Sequence, residues 1–270
     1  MRVIAAIDES AAAGPILGAA GAIAEFLGAT LEAVHVREDG GEVAQAEAKA
    51  AGVELRMLEG PTVASLVAAA GADDVAMMVL GVRGTPAGRR PGGRTALEVL
   101  TSLEKPVVVV PPDAQPEPRL RRILVPLDGT RATSGALDAT IRLARSRDID
   151  LVVLHVHDED SLPLFADQPH HEAEAWEREF LARCCSGCPP KELTLQVCVG
   201  APAGHVLRVA AESEVDLIAL SWAQDLSPGR AAVVREVLVR TSIPILLVPL
   251  GEASGRSGRL HEGRIEAGKV

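Results

Sequence analysis

Aromatic side chains are almost missing from this chain, which has no Tyr, three Phe and two Trp among 270 residues. Nucleic-acid surfaces rely on a basic field and on rings that stack with bases, whereas 37 acidic against 27 basic residues give this chain a net charge of −10. The expectation is no nucleic-acid partner. Long apolar runs are missing too. None approaches the roughly 18 residues of a membrane span, and the opening "MRVIAAIDES" meets Asp8 too early for a secretion signal. The expectation is a soluble, cytoplasmic protein with no membrane partner. Cysteine is scarce, and three of the four cysteines crowd into "CCSGC". No spaced disulfide framework is visible, in keeping with a reducing compartment. Catalytic signatures are absent as well: there is no Walker lysine motif, no G-x-S-x-G elbow and no H-E-x-x-H. A hydrolase needs a positioned base or a metal to activate water. Beyond Asp8 no such residue can be named, so binding is favoured over turnover.

What the chain does have is a repeat. "RVIAAIDES" and "RILVPLDGT" share a basic residue, an apolar run and a closing Asp, which sets Asp8 opposite Asp128, 120 positions on. The same offset sets His35 of "LEAVHV" opposite His155 of "LVVLHV". After an insertion in the second copy, Gly60 matches Gly200 and Gly81 matches Ser221, an offset of 140; "EKPVVVVPP" then matches "TSIPILLVPL" with Pro106 opposite Pro244, an offset of 138. This pattern suits duplication of one compact domain. The expected division is 1–112, a Pro-rich linker at 113–120, a second domain at 121–250 and a tail at 251–270. The tail is rich in glycine and mixed charge, buries too little to offset its chain entropy, and is expected to be disordered.

Within the first half, Val3–Ile7, Leu31–Val36, Val53–Leu58, Val75–Leu80 and Val107–Val110 read as strands alternating with Ala- and Leu-rich helices. Continuous apolar runs belong to parallel strands covered on both faces. The fold class is therefore α/β, with two tandem open parallel-sheet sandwiches of Rossmann type. The closing strands, "PVVVVP" and "PILLVP", would be exposed hydrophobic edges if left alone, so the halves are expected to pair through them about a pseudo-two-fold axis. In such sheets ligands sit at the carboxyl ends of the strands, where strand order reverses.

The stretch "GVRGTPAGRRPGGRTALEVL" lies at such an end, with glycines at 81, 84, 88, 92 and 93 and arginines at 83, 89, 90 and 94. Glycines permit positive φ and close backbone approach, so successive N–H groups can converge on an anion. The helix expected to start near Thr95 adds free amides and a positive dipole end. The plainer alternative is a surface loop whose arginines are merely solvated.

The order of these parts resembles the universal stress protein family in its tandem form, over both halves and short only of the tail. Nucleotide-binding members of that family carry G-x2-G-x9-G-[ST] after the fourth strand. Here Gly81 and Gly84 match, and the third glycine arrives one residue early at Gly93, followed by Arg94 and Thr95. The resemblance implies that Asp8 lies near the adenine or ribose, that Val34 and Val36 border the base, and that Gly81, Gly84, Gly93 and Thr95 face the phosphates, with Arg83 and Arg94 beside them. It implies binding of ATP or another adenine nucleotide, with or without Mg, in a stress-response or regulatory role. An unidentified protein partner and a homodimer remain open. A nucleotide-free module working through protein contacts is the alternative, and slow ATP hydrolysis a third.

In the second half "SWAQDLSPGRAAVVREVL" sets Ser221, Gln224 and Pro228 opposite Gly81, Gly84 and Gly88, so the cradle is lost and Trp222 stands beside it. That half reads as scaffold, with an acidic helix in the insertion "HDEDSLPLFADQPHHEAEAWEREF". Two rival chemistries are weighed. His155 and His157 could meet His170 and His171 around a metal, but His35 occupies the matching position without a second histidine, so a structural role is favoured. Cys185-x-x-Cys188 ends a helix rather than starting one, which favours buried or idle thiols over a redox pair.

Overall fold

The computed structural model describes residues 1–37, 40–82, 93–157, 170–185, 193–227 and 229–250, with backbone only at 170–173. The tail beyond 250, Arg83, Gly84 and Cys188 lie outside them. The first half runs β1 (Arg2–Ala6), α1 (Ala13–Leu27), β2 (Thr30–Val36), α2 (Glu42–Ala50), β3 (Glu54–Leu58), α3 (Thr62–Gly71), β4 (Val75–Gly81), α4 (Arg94–Ser102) and β5 (Val107–Val110). The second repeats it: β6 (Arg122–Pro126), α5 (Arg131–Ser146), β7 (Asp150–His157), α6 (His170–Cys184), β8 (Thr194–Val199), α7 (Pro202–Glu212), β9 (Leu217–Trp222), α8 (Ala232–Arg240) and β10 (Ile245–Pro249).

The strands join one ten-stranded sheet in the order β3-β2-β1-β4-β5-β10-β9-β6-β7-β8. Pairing is parallel inside each half, and β1 takes β2 on one side and β4 on the other. The halves meet where β5 runs antiparallel to β10, with Val107, Val108 and Val109 opposite Leu247, Leu246 and Ile245. Under the 138-residue offset this register maps onto itself. The expected pseudo-two-fold junction of the closing strands is therefore present, and it hides both edges.

The apolar runs are continuous because alternate residues feed different cores. Val108 and Val110 join the layer built with α1, α2, α5 and α6. Val107 and Val109 join the layer built with α3, α4, α7 and α8. Both layers extend across the junction. Residues 111–121 pack across α1: Ala114 is buried, and a side chain at Gly18 would sit 3.3 Å from Pro116. Arg119 pairs with Glu25 at 2.9 Å, and the Arg121 amide donates to Asp216 at 2.7 Å. No helix among the described residues is long and apolar enough to cross a membrane.

Candidate functional site

A cavity of about 540 Å³ opens at the carboxyl ends of β1 and β4, the point where strand order reverses in the first half. Its floor is apolar, made by Ile7, Ile16, Val36, Leu66, Leu80, Val82 and Val99. Its polar rim comes from Asp8, Glu9, His35, Thr62, Arg94 and Thr95. An apolar pocket of this size with a few convergent polar groups suits a small-molecule ligand. A second hollow, about 500 Å³ beside α3, is walled largely by alanines. The two arginines there, Arg2 and Arg56, already hold Glu32 at 2.6 and 2.9 Å.

Of the residues singled out by sequence, Asp8, Val36, Gly81, Gly93, Arg94 and Thr95 come together around this cavity. Val34 does not. It is fully buried in the core, opposite Ala6 and Arg56, one pleat below the lining. Arg83 and Gly84 belong to the part of the loop outside the described residues.

The Asp8 carboxylate accepts the Ser10 backbone amide at 2.9 Å and the Ser10 hydroxyl. Asp128 accepts the Thr130 amide in the same way at 2.8 Å. Both aspartates are thus turn-forming residues, and Asp8 in addition lines the cavity.

Gly81 needs a correction of mechanism. Positive φ was the expected reason for glycine, but Gly81 is not in the left-handed region; Gly93 is at φ −55. A Cβ at Gly81 would lie 2.8 Å from Cδ1 of Ile16 on α1, a side-chain tip that would have to shift to admit it. In the second half the matching pair is Ser221 and Ala136, which moves the volume from helix to strand.

At the far rim α4 begins at Arg94, with Gly93 as N-cap and no side-chain cap or first-turn acid. Its first N–H groups therefore have no intrahelical acceptor and face a ligand-sized space. The Arg94 guanidinium donates to Glu98 at 2.6 Å, and that hydrogen bond raises its pKa above the ordinary arginine value. Asp8 and Glu9 stand at the end of β1. The rim is polarised, acidic at one end and amide-rich with a cation at the other.

Glu9 and Thr62 were not singled out by sequence, and His35 was singled out only as a structural feature of the repeat. The Glu9 carboxylate accepts the Val43 and Ala44 amides at 3.2 and 3.3 Å, tying the first loop to the start of α2. His35 Nδ1 lies 3.0 Å from the Ile7 carbonyl and must donate to it. Nε2 is buried without a hydrogen-bond partner, 4.0 Å from Glu9. The repeat carried a signal for the first of these roles: His155 Nδ1 meets the Leu127 carbonyl at 2.7 Å, the same structural bond.

In the second half the matching histidine is packed among rings. Trp176 and Phe180 of α6 stack at 5.1 Å, and both lie against His155, at 5.7 and 4.7 Å. His157 packs edge-on to His155 at 4.4 Å and against Trp176 at 5.4 Å. Trp222, opposite Val82 of the cavity floor, is buried in the core layer that in the first half supplies Val36, Leu66, Leu80, Val82 and Val99 to that floor. Among the described residues no group of three or more His, Cys, Asp or Glu is placed to hold a metal ion. Cys184 and Cys185 are buried thiols at the end of α6.

The model of the universal stress protein family matches residues 37–111 and again 119–249. No curated protein matches the chain significantly. Among solved structures, a universal stress protein from Archaeoglobus fulgidus DSM 4304 superposes with a TM-score of 0.65 at 14% identity, covering 93% of this chain and 98% of that one. One from Pseudomonas aeruginosa UCBPP-PA14 superposes with a TM-score of 0.65 at 15% identity, covering 92% of each. At such identities these structures speak to the fold alone. The first match begins beyond Asp8 and β2, so it is the strand ends that place those residues in the site. With two matches that together take in most of both halves, and the same fold over nearly the whole length of solved members, this chain belongs to the universal stress protein family, in its tandem form.

Proposed function

We propose that the first half binds an adenine nucleotide, ATP in the first instance, with or without Mg, and that the protein acts as a nucleotide-responsive regulator rather than as a catalyst. The observation that carries this reading is the polarity of the cavity. A nucleotide has an apolar ring, a hydroxyl-bearing sugar and an anionic tail, and the site offers an apolar floor, carboxylates at the β1 end and free amides at the start of α4 in that order. Four arginines between positions 83 and 94 raise the local positive charge in a chain that is acidic overall.

Thr95→Glu separates ligand binding from folding. Thr95 is exposed in the first turn of α4, and a carboxylate there helps the helix by about 0.3–1 kcal/mol while occupying the amides a phosphate needs. In titration calorimetry the wild type is expected to bind one ATP per chain. The variant should bind ATP at least about tenfold more weakly, a change of about 1.4 kcal/mol, with adenosine affinity unchanged and a melting temperature no lower than that of the wild type. A wild type that binds no ATP, or a variant that binds it equally well, refutes the assignment.

A further inference from the structure

The degenerate loop of the second half makes a contact that its counterpart cannot make. Gln224, the residue opposite Gly84, reaches across the junction and donates its side-chain amide to the Leu103 carbonyl at 2.7 Å and the Leu100 carbonyl at 3.3 Å. The Leu100 carbonyl lies in the last turn of α4, where helix acceptors have no intrahelical donors, and Leu103 is the C-cap residue that follows. Gln224 sits at φ +57, a left-handed conformation that glutamine rarely adopts. Neighbouring side chains hold it there: Leu226 and Trp222 pack in the same core layer as Val99, Leu100 and Leu103. Glycine stands at the matching position of the first half, so no side chain can return the contact from there.

The other end of α4 carries Gly93, Arg94, Thr95 and Ala96 into the cavity. The helix has nine residues, a rod of about 13 Å at 1.5 Å per residue. One end is bonded to the second half and the other faces the space assigned to the phosphates. α4 receives no side-chain cap at its N-terminus and packs by few residues, with Ala96, Val99 and Leu100 buried. Its axial position and the order of its last turn therefore depend on the bonds at its C-terminus.

We propose that Gln224 is a positioning residue for the first-half site: the loop that gave up its own cradle clamps α4, so that the helix presents its N-terminal amides to an anionic ligand bound in the other half. This rests on the nucleotide reading above. It gives the second half a part in ligand binding without a ligand of its own, and it predicts an effect confined to the anionic portion of the ligand.

Two variants test it in the full chain. Gln224→Gly suits the left-handed backbone and deletes the amide. Gln224→Glu keeps the length and sets an acceptor carboxylate against two carbonyls at the negative end of the helix dipole. In the ligand-free protein, hydrogen exchange of the α4 amides should speed up about tenfold in Gln224→Gly and more in Gln224→Glu. In calorimetry ATP affinity should fall about five- to tenfold in both, with adenosine affinity within twofold of wild type. Unchanged exchange would overturn the clamp. Faster exchange with unchanged ATP affinity would overturn its link to the site, and so would equal losses of ATP and adenosine, which mark a general loosening of the fold. A wild type that binds no ATP strikes the nucleotide reading instead, and leaves the exchange arm to decide whether Gln224 holds α4.

Discussion

The two halves share a strand order and a histidine bonded to the residue after the first strand, yet one histidine borders a cavity and the other is packed against aromatic rings. In the first half His35 borders the cavity, and its neighbour across the gap is the Glu9 carboxylate at 4.0 Å. In the second, the same imidazole is packed against Trp176 and Phe180 from the longer α6. The histidine is thus part of the scaffold, and what differs is the element laid over it. The surroundings of a strand-end side chain change with the helix laid over it; the sheet beneath does not need to change.

The comparison breaks most readily at the filling. Phe180 is almost fully buried against Gly129 and His155, so Phe180→Ala should cost about 3–5 kcal/mol in urea-induced unfolding. The hollow left behind should not bind ATP, because it opens in the core layer of α5 and α6, whereas most of the first-half cavity floor belongs to the other layer. Calorimetry of this variant should still give one nucleotide per chain, and a second site would show that volume alone separates the halves.

A smaller effect is expected from transplanting the second-half solution at Gly81. Gly81→Ser places a Cβ 2.8 Å from the Ile16 methyl and should cost about 1–3 kcal/mol by overpacking. Ile16→Ala alone should cost about 2–5 kcal/mol, since Ile16 is buried. Combining Gly81→Ser with Ile16→Ala reproduces the pairing of Ser221 with Ala136, and a double-mutant cycle should return a favourable coupling of about 0.5–3 kcal/mol. Strict additivity would mean that steric contact between strand and helix does not explain the glycine.

The smallest effect concerns pH and the second-half loop. The Ser227 hydroxyl and amide donate to Asp225, holding its carboxyl below the ordinary aspartate value. Because the folded pKa is the lower one, the stabilisation is present above the unfolded value and fades as pH falls through the folded one. NMR titration should find the Asp225 midpoint below that of an unstructured aspartate, and Ser227→Ala should move it back up. A midpoint that does not move would remove this turn from the account of how the loop is held.

Much of the fold was legible because each strand is a short apolar run with a hydrophilic boundary. Val75–Leu80 was expected and Val75–Gly81 is found, and Val107–Val110 is found as expected. The closing strands could be paired by reasoning about edges alone. The site was legible only where a residue's role is local. Asp8 and Thr95 follow from a strand end and a helix start. The tight contact at Gly81 comes from Ile16, a residue in a different element, and no pattern around Gly81 records it. His35 was visible as a repeated feature, but its orphaned Nε2 depends on where Glu9 turns to meet α2. Trp176 and Phe180 show helical spacing in the sequence, which says that they share a face and nothing about what that face covers.

The antiparallel seam between β5 and β10 has a consequence for what substitutions the chain can accept. A register that maps onto itself is the kind of contact two identical subunits could make. In such a dimer every substitution would be made twice, so a ring that plugs one pocket would plug both, and assembly would depend on concentration. Here the two sides of the seam are joined by residues 111–121, so the contact is intramolecular and holds at any dilution. Each side is also encoded separately. One half can change its loop while the other keeps its own, and the changed side is free to acquire a residue such as Gln224 that reaches its neighbour.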